Sequence, residues 1–240
     1  MSRGRPRGRS PGAPARTVKG RKPSSTRWLA RQLTDPYVAE AQRRGYRSRA
    51  AFKLIEIDHR CGVLSPGKRV VDLGAAPGGW TQVAVARVAA SEPGGGSVLA
   101  VDIAELAAIP GARIIQADLR DGDTPALIRA ALGGPADVVL SDMAAPATGH
   151  AATDRLRVIG LCEIALEFAE HILAPGGGFI CKAMGSGADA GLLASVKRAF
   201  GRVKHIKPPA SRGNSAEIYL VATDFRGSAA AADENTRADA

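Results

Sequence analysis

The sequence predicts one α/β domain: a mostly parallel, seven-stranded sheet with helices on both faces and an antiparallel hairpin at its C-terminal end. Two observations predict it. Short β-branched runs alternate with longer amphipathic runs, which is typical of strand–helix–strand units. The 240 residues suffice for one full hydrophobic core, and 45% of them are apolar. We therefore expect a single globular domain with tails.

The β-branched runs predict five strands, at Arg69–Leu73, Val98–Asp102, Arg113–Ala117, Asp137–Ser141 and Gly178–Ala183. The amphipathic runs predict helices at Gly79–Ala90, Thr124–Leu132, Asp154–Leu173 and Asp189–Phe200. Two more strand-like runs, at 203–206 and 217–223, follow without a helix between them, so they predict a hairpin. This ending differs from nicotinamide-binding domains and is typical of the Rossmann-like S-adenosylmethionine-dependent methyltransferase fold.

The third predicted helix carries an apolar stripe broad enough to bury against the sheet. Its members are Leu156, Ile159, Leu161, Ile164, Leu166, Phe168 and Ile172. The glycine run at 176–178 is expected to end this helix.

The net charge of +10 is concentrated at the N-terminus, because residues 1–34 contain basic residues and no acid, while the remainder is balanced. A second acid-free stretch spans 190–216 and carries six cations: Lys197, Arg198, Arg202, Lys204, Lys207 and Arg212. Such segments are consistent with a polyanionic partner or with a merely solubilising tail. Composition predicts a disordered basic tail at 1–25, a domain at 26–225 and a disordered tail at 226–240.

Other sequence features narrow the cellular setting. No run of about 18 apolar residues indicates a membrane span, and Pro and Gly in the basic tail disfavour the amphipathic helix of a transit peptide. The cysteines Cys61, Cys162 and Cys181 have neither zinc-ligand nor disulfide-framework spacing. We therefore expect a cytoplasmic monomer without a metal, whose cysteines are small buried hydrophobes.

A small-residue loop follows the first predicted strand and leads into a helix, in the segment Val70–Trp80. Backbone amides there can approach a ligand closely, and the helix N-terminus favours negative charge. The loop departs from G-x-G-x-x-G because Ala76 replaces the second glycine, and it lacks the G-K-[ST] ending of a P-loop. A nucleotide-like cofactor site is one interpretation and a tight turn is the other.

Aspartates at successive strand ends support the cofactor interpretation. Asp102, Asp118 and Asp142 each follow a predicted strand, and the carboxyl ends of parallel strands converge on one crevice. Asp102 stands where a carboxylate can bind the ribose hydroxyls of an adenosine. Any single aspartate could instead cap a helix, and Trp80 could wall the pocket or belong to the core.

Lys182 is a charged residue in a position where a structural role alone would favour an apolar one. Lys182 lies within an otherwise apolar strand, and charged residues are seldom buried without a partner. Methyl transfer from a sulfonium to an alcohol needs a base, and a lysine serves only when its pKa is lowered by burial or a neighbouring cation. Lys53 could be that cation, and Asp142 and Glu217 could hold both ammonium groups. The alternative is that Lys182 extends to solvent from a strand end.

Several motifs in this order resemble the RlmE/FtsJ (RrmJ) family of ribosomal RNA 2'-O-ribose methyltransferases, over about residues 24–223. They are Asp35-Pro36-Tyr37, Gly45-Tyr46-Arg47-Ser48-Arg49-Ala50-Ala51-Phe52-Lys53-Leu54, the Asp72–Trp80 loop, Ser141-Asp142-Met143-Ala144 and Leu173-Ala174-Pro175-Gly176-Gly177. The chain departs from the family pattern at Ala144-Ala145-Pro146, at Ala183-Met184 and at 212–216, but keeps Lys53, Asp142, Lys182 and Glu217.

The resemblance implies a catalytic set of Lys53, Asp142, Lys182 and Glu217, with Lys182 as proton acceptor. Lys53 would position the target ribose and tune Lys182, Asp142 would orient the base, and Glu217 would support the lysines. It also implies S-adenosylmethionine contacts at Gly78, Trp80, Asp102, Asp118 and Asp142. The implied substrate is a uridine in large-subunit (23S) ribosomal RNA, modified within the large ribosomal subunit.

The segment 26–60 is expected to be a helical, RNA-facing part of the domain, because five arginines cluster within 28–49: Arg31, Arg43, Arg44, Arg47 and Arg49. The alternative is that these arginines only form a solvent-exposed helix face that binds no RNA. Rival functions are methylation of transfer RNA or another ribosomal position, a noncatalytic ribosome-assembly factor and a nicotinamide-dependent oxidoreductase.

Overall fold

Seven strands form one sheet in the order β3-β2-β1-β4-β5-β7-β6 in the computed structural model, which describes residues 34–185, 190–213 and 215–227. The strands are β1 Arg69–Leu73, β2 Ser97–Asp102, β3 Ala112–Gln116, β4 Ala136–Ser141, β5 Leu173–Met184, β6 Phe200–Ile206 and β7 Glu217–Phe225. The helices are α1 Pro36–Arg43, α2 Ala50–Cys61, α3 Gly79–Arg87, α4 Thr124–Leu132, α5 Ala151–Ile172 and α6 Ala190–Ala199.

Strands β1 to β5 pair in parallel, whereas β7 runs antiparallel to both of its neighbours, β5 and β6. The predicted fold class is therefore confirmed, including the C-terminal hairpin. Because β7 is antiparallel, it begins at the edge of the sheet where β1 to β5 end. The residues at the ends of β4 and β5 and the first residues of β7 consequently meet at one edge of the sheet.

The sheet separates two cores. One face packs α4, α5 and α6 against residues such as Val139, Phe179 and Cys181. The other packs α2 and α3 against residues such as Ile180 and Tyr219. Side chains alternate between the faces of a strand, so Lys182 shares the face of Ile180, where α2 approaches.

The long helix α5 corrects two expectations. Its buried stripe consists of Val158, Cys162, Ala165, Leu166, Phe168, Ala169 and Ile172. Leu156, expected in the stripe, is 68% exposed. The glycine run does not end the helix: Leu173 already has extended dihedral angles, and β5 begins there. Cys162 and Cys181 are buried as predicted, whereas Cys61 is only partly buried.

Helices α1 and α2 form the described part of the predicted RNA-facing segment. Asp35 caps α1 by accepting a hydrogen bond from the Tyr37 amide, and Gly62 ends α2 in the left-handed conformation. Several of the clustered arginines have intramolecular partners. Arg43 and Arg44 pair with Glu40, and Arg49, 15% exposed, pairs with Asp35. Arg49 therefore has little exposed surface with which to contact an RNA. Arg31 and most of both predicted tails lie outside the described residues.

Asp72, the penultimate residue of β1, is a buried carboxyl group that accepts a 2.6 Å hydrogen bond from the Thr81 hydroxyl. Burial raises its pKa to about 7, the hydrogen bond opposes that rise, and nearby Asp142 and Asp102 add to it. The fold therefore favours the neutral form of Asp72 in mildly acidic solution. Ionising it above pH 7 costs stability.

The variant Asp72→Asn tests this cost. The folded pKa lies above the unfolded value of about 4, so the favourable contribution of neutral Asp72 is complete below pH 4 and lost as pH rises through 7. Asp72→Asn should therefore gain stability relative to wild type as pH rises from 4 to 8, by about 2–4 kcal/mol in urea unfolding.

Asp224→Asn is the matched control. Arg202 lowers the pKa of the exposed Asp224 carboxyl, so this variant should lose a little stability at neutral pH and regain it on acidification. A stability difference between Asp72→Asn and wild type that does not change with pH would contradict the raised pKa of Asp72.

Candidate active site

The functional side chains stand in a row along one edge of the sheet. Asp118 follows β3, Asp102 ends β2, Asp142 follows β4 and Lys182 lies near the end of β5. Glu217 begins β7 directly opposite Met184. Neighbouring strands are about 4.8 Å apart, so the row from β3 to β5 spans roughly 19 Å. That length suits an extended ligand lying across the strand ends.

Two lysines and two carboxylates meet at one end of this row. The Lys182 Nζ lies 2.7 Å from Asp142 Oδ1 and donates to the Asp142 carbonyl oxygen at 2.7 Å. The Lys53 Nζ, from α2, lies 2.8 Å from Glu217 Oε1 and 3.8 Å from Asp142 Oδ2. Asp142 thus links the two lysines. The structure brings together all four residues that the resemblance implied.

This cluster is largely removed from solvent. Lys53 and Lys182 are only 7% and 8% exposed. Buried charges must be paired to offset their lost hydration. Removal of one partner leaves the other charge buried and uncompensated, which destabilises the fold. Two ammonium and two carboxylate groups balance in formal charge, which makes such burial tolerable. The alternative in which Lys182 extends freely to solvent does not describe this structure.

Tyr219 is a member of the cluster that we did not predict. It lies opposite Lys182 in the β5–β7 register, is fully buried, and donates a 2.7 Å hydrogen bond to Asp142 Oδ1. Its ring also contacts the Trp80 ring and the Lys53 ammonium. The spacing contained a signal, because Glu217 and Tyr219 are two residues apart on one strand and therefore share a face.

Electrostatics within the cluster favour fixed protonation states for two of its members. Burial raises the pKa of Tyr219 well above its ordinary value, and the Asp142 charge adds to this, so Tyr219 remains a donor. Burial also opposes ionisation of Glu217, but Lys53, Lys182 and the Ser211 hydroxyl together outweigh it, and the pKa of Glu217 is lowered. Ser211 donates a further 2.9 Å hydrogen bond to Glu217. Glu217 is therefore a stable anion facing Lys53.

A cavity of about 370 Å³ occupies the other end of the row. Asp102, Asp118 and Asp142 contribute its carboxylates, and the rest of its lining is mainly apolar. The other lining residues are Gly74, Ala76, Val101, Ile103, Ala117, Leu119, Arg120, Met143, Ala144, Leu161 and Ile164. Leu161 and Ile164, predicted to pack on the sheet, thus face this cavity.

The cavity carboxylates already have intramolecular partners. Asp102 accepts hydrogen bonds from the Ala76 and Ala104 amides, both at 2.8 Å, so it also holds the small-residue loop. The Arg120 guanidinium pairs with Asp118, and its hydrogen bonds lower the pKa of Asp118 to about 2. Asp118 is consequently an anionic acceptor, and the oxygens of both side chains keep lone pairs for a ligand.

Gly78 and Trp80 are placed differently from the three aspartates. Neither is among the described residues that line the cavity. Gly78 caps α3 with φ 109°, and a Cβ built there would lie 2.5 Å from Ile109 Cδ1. Trp80 is buried and donates a 2.8 Å hydrogen bond to the Ala50 carbonyl. Their direct contact with a cofactor stays a prediction.

The strand order, the antiparallel β7 and the cavity beside a buried lysine define the class: an α/β methyltransferase fold. The chain belongs to the FtsJ-like methyltransferase family, whose model matches residues 46–225. It is 60% identical over 214 residues to the ribosomal RNA large subunit methyltransferase E of Paramagnetospirillum magneticum, covering 89% of this chain and 88% of that protein. The methyltransferase of the same name from Rhodospirillum rubrum is 56% identical, covering 88% and 81%.

A solved structure agrees with this family. The crystal structure of a ribosomal RNA methyltransferase from Plasmodium falciparum matches with a TM-score of 0.67 and 29% identity, covering 76% of this chain and all of that chain. In the part of the chain that the structure describes, no helix is both long and apolar enough to span a bilayer.

Tyr219→Phe tests whether the hydroxyl of Tyr219 positions Asp142. Loss of a buried hydrogen bond to a charged group costs about 1.5–3 kcal/mol, so kcat at saturating cofactor should fall by about 10–100-fold. The measurement is kcat and KM for the methyl donor and RNA, beside the melting temperature. Tyr37→Phe, which removes a hydroxyl–carboxylate hydrogen bond to Glu56, is the control and should keep the wild-type kcat. A wild-type kcat for Tyr219→Phe would refute the positioning role.

Proposed function

We propose that this chain transfers the methyl group of S-adenosylmethionine to the ribose 2'-hydroxyl of a uridine in large-subunit (23S) ribosomal RNA. The observation that carries the proposal is the 2.7 Å Lys182–Asp142 pair, whose Asp142 also lines a cofactor-sized cavity. The relatives named ribosomal RNA large subunit methyltransferase E support the choice of RNA. Its setting would be the cytoplasm, on large ribosomal subunits.

The residues along the cavity fit this cofactor. Val101, Ile103 and Leu119 offer apolar surface for an adenine, Asp118 can accept from its amino group, and Asp102 can accept from ribose hydroxyls. A Cβ at Gly74 would lie 2.3 Å from Met143 Cγ, and the φ of +69° there also disfavours other residues, so glycine suits this cavity-lining position. The cofactor supplies a methyl group on a sulfonium, which is a good leaving group.

Lys182 is the proposed proton acceptor for the ribose hydroxyl: its ammonium, paired with Asp142 in the resting site, first releases a proton to solvent, and the neutral amine then takes the hydroxyl proton. An alcohol is a poor nucleophile until its proton is removed or polarised. Asp142 fixes the direction of the Lys182 side chain through its carboxylate and its carbonyl, and Tyr219 fixes Asp142. When the amine takes the proton, the resulting ammonium faces Asp142, so the charge forms beside a waiting anion.

Lys53 is the proposed ribose-positioning residue. It approaches from α2 and is held by Glu217 at 2.8 Å, while its longer 3.8 Å contact to Asp142 leaves a weaker attachment on that side. The arrangement argues against a noncatalytic assembly factor, because RNA binding alone gains nothing from two lysines removed from the surface.

Purified protein tests the proposed activity directly. We expect it to methylate a single uridine 2'-oxygen in large subunits or 23S RNA from cells lacking the modification, with position mapped by resistance to alkaline hydrolysis. Modification of transfer RNA instead, or of a different ribosomal position, would replace the proposed substrate. Failure to bind S-adenosylmethionine in calorimetry would refute the activity itself.

Lys182→Ala tests the base. Loss of a general base reduces transfer by about 10²–10⁴-fold, while cofactor affinity should stay within a few-fold because Lys182 does not line the cavity. Single-turnover rates and calorimetry with the methyl donor measure the two effects. Lys68→Ala is the control, since Lys68 also donates to a carbonyl oxygen but lies away from the site. Unchanged turnover by Lys182→Ala would remove the assigned base.

A further inference from the structure

Residues 45–50, which lie between α1 and α2 and include the first residue of α2, cross the N-terminal end of α3; we call this segment the strap. Gln82 of α3 donates to the Gly45 carbonyl at 2.9 Å and accepts from the Arg47 amide at 2.8 Å. Trp80 of α3 donates to the Ala50 carbonyl at 2.8 Å. Both ends of the strap are therefore fastened to the helix that follows the small-residue loop.

The Arg47 side chain extends this fastening to a third element. Its guanidinium donates to the carbonyl oxygens of Ala108 at 2.6 Å and Ala107 at 2.8 Å, in the β2–β3 loop. It also donates to the Pro77 carbonyl at 3.4 Å, in the β1–α3 loop. One planar group with several donors thus joins two loops that the chain separates by about 30 residues.

These two loops border the cofactor cavity. Gly74 and Ala76, from the β1–α3 loop, line it on one side, and Asp102 and Ile103, at the start of the β2–β3 loop, line it on another. Packing beneath Arg47 is close. A Cβ at Gly78 would lie 3.2 Å from the Arg47 Cδ and 2.5 Å from Ile109 Cδ1, so Gly78 leaves room for this contact.

We infer that Arg47 is a positioning residue whose guanidinium fixes the two loops bordering the cofactor cavity. The inference rests on the proposed function only for the identity of the cofactor. It revises the expectation that Arg47 belongs to an RNA-facing arginine cluster, because three of its donors are directed at backbone carbonyls.

The competing role for Arg47 is contact with RNA, because its positive charge could pair with a phosphate. In the described residues no carboxylate lies within ion-pair distance of its guanidinium. The two roles differ in which ligand they affect. A loop clamp governs affinity for the cofactor, whereas a phosphate contact governs RNA affinity and its salt dependence.

The test uses the full chain with Arg47→Ala and Arg47→Lys. A lysine keeps the charge but concentrates its donors on one nitrogen, so it cannot join both loops. We expect both variants to raise the Kd for S-adenosylmethionine about tenfold in calorimetry, since several hydrogen bonds holding the cavity are lost. KM for the cofactor should rise in parallel while kcat at saturation stays within about twofold.

Arg113→Ala is the matched control, because Arg113 also donates from its guanidinium to a backbone carbonyl, that of Ala131. It should leave cofactor Kd unchanged. The inference is overturned if Arg47→Lys binds the cofactor as wild type does, or if Arg47→Ala changes only RNA affinity and reduces the slope of log K against log salt by about one. If Arg47→Ala fails to fold, the Arg47→Lys result decides. Absence of cofactor binding by wild type would instead refute the proposed function.

Discussion

The ion pair between Lys182 and Asp142 is the interaction on which the rest of the site depends. An ammonium group on a buried strand loses most of its hydration, and this loss is tolerable only beside a fixed anion. Asp142 provides the anion from the end of the adjacent strand β4, at 2.7 Å. The parallel pairing of β4 with β5 therefore places base and partner together without any loop having to close over them.

The antiparallel final strand completes the charge balance. A parallel β7 would begin at the opposite edge of the sheet, and Glu217 would then lie far from Lys53. Reversal of the strand brings Glu217 and Tyr219 to the edge where β5 ends. Glu217 then compensates Lys53, Tyr219 holds Asp142, and two ammonium groups stay paired within one small volume. The antiparallel β7 that distinguishes this sheet therefore also supplies two residues of the active site, Glu217 and Tyr219.

The strand-end residues could be predicted from sequence because the carboxyl ends of parallel strands converge whatever the intervening helices do. Lys182 was recognisable by contrast with its apolar neighbours. The role of Arg47 was not, because a guanidinium bonded to carbonyls of distant loops has no local sequence signature. Leu156 was misplaced because it lies seven and eleven residues before the exposed Glu163 and Glu167, and so shares their solvent-facing side of α5 rather than the buried stripe.

A double-mutant cycle of Lys182→Ala and Asp142→Asn tests the central claim most directly, measured as single-turnover methyl transfer to RNA at saturating cofactor. If Asp142 acts by orienting Lys182, removing either partner removes the same step, so the double variant should be about as slow as Lys182→Ala alone, with a coupling energy of about 1–3 kcal/mol. Additive losses, with the double variant slowed by the product of the two single effects, would contradict the account.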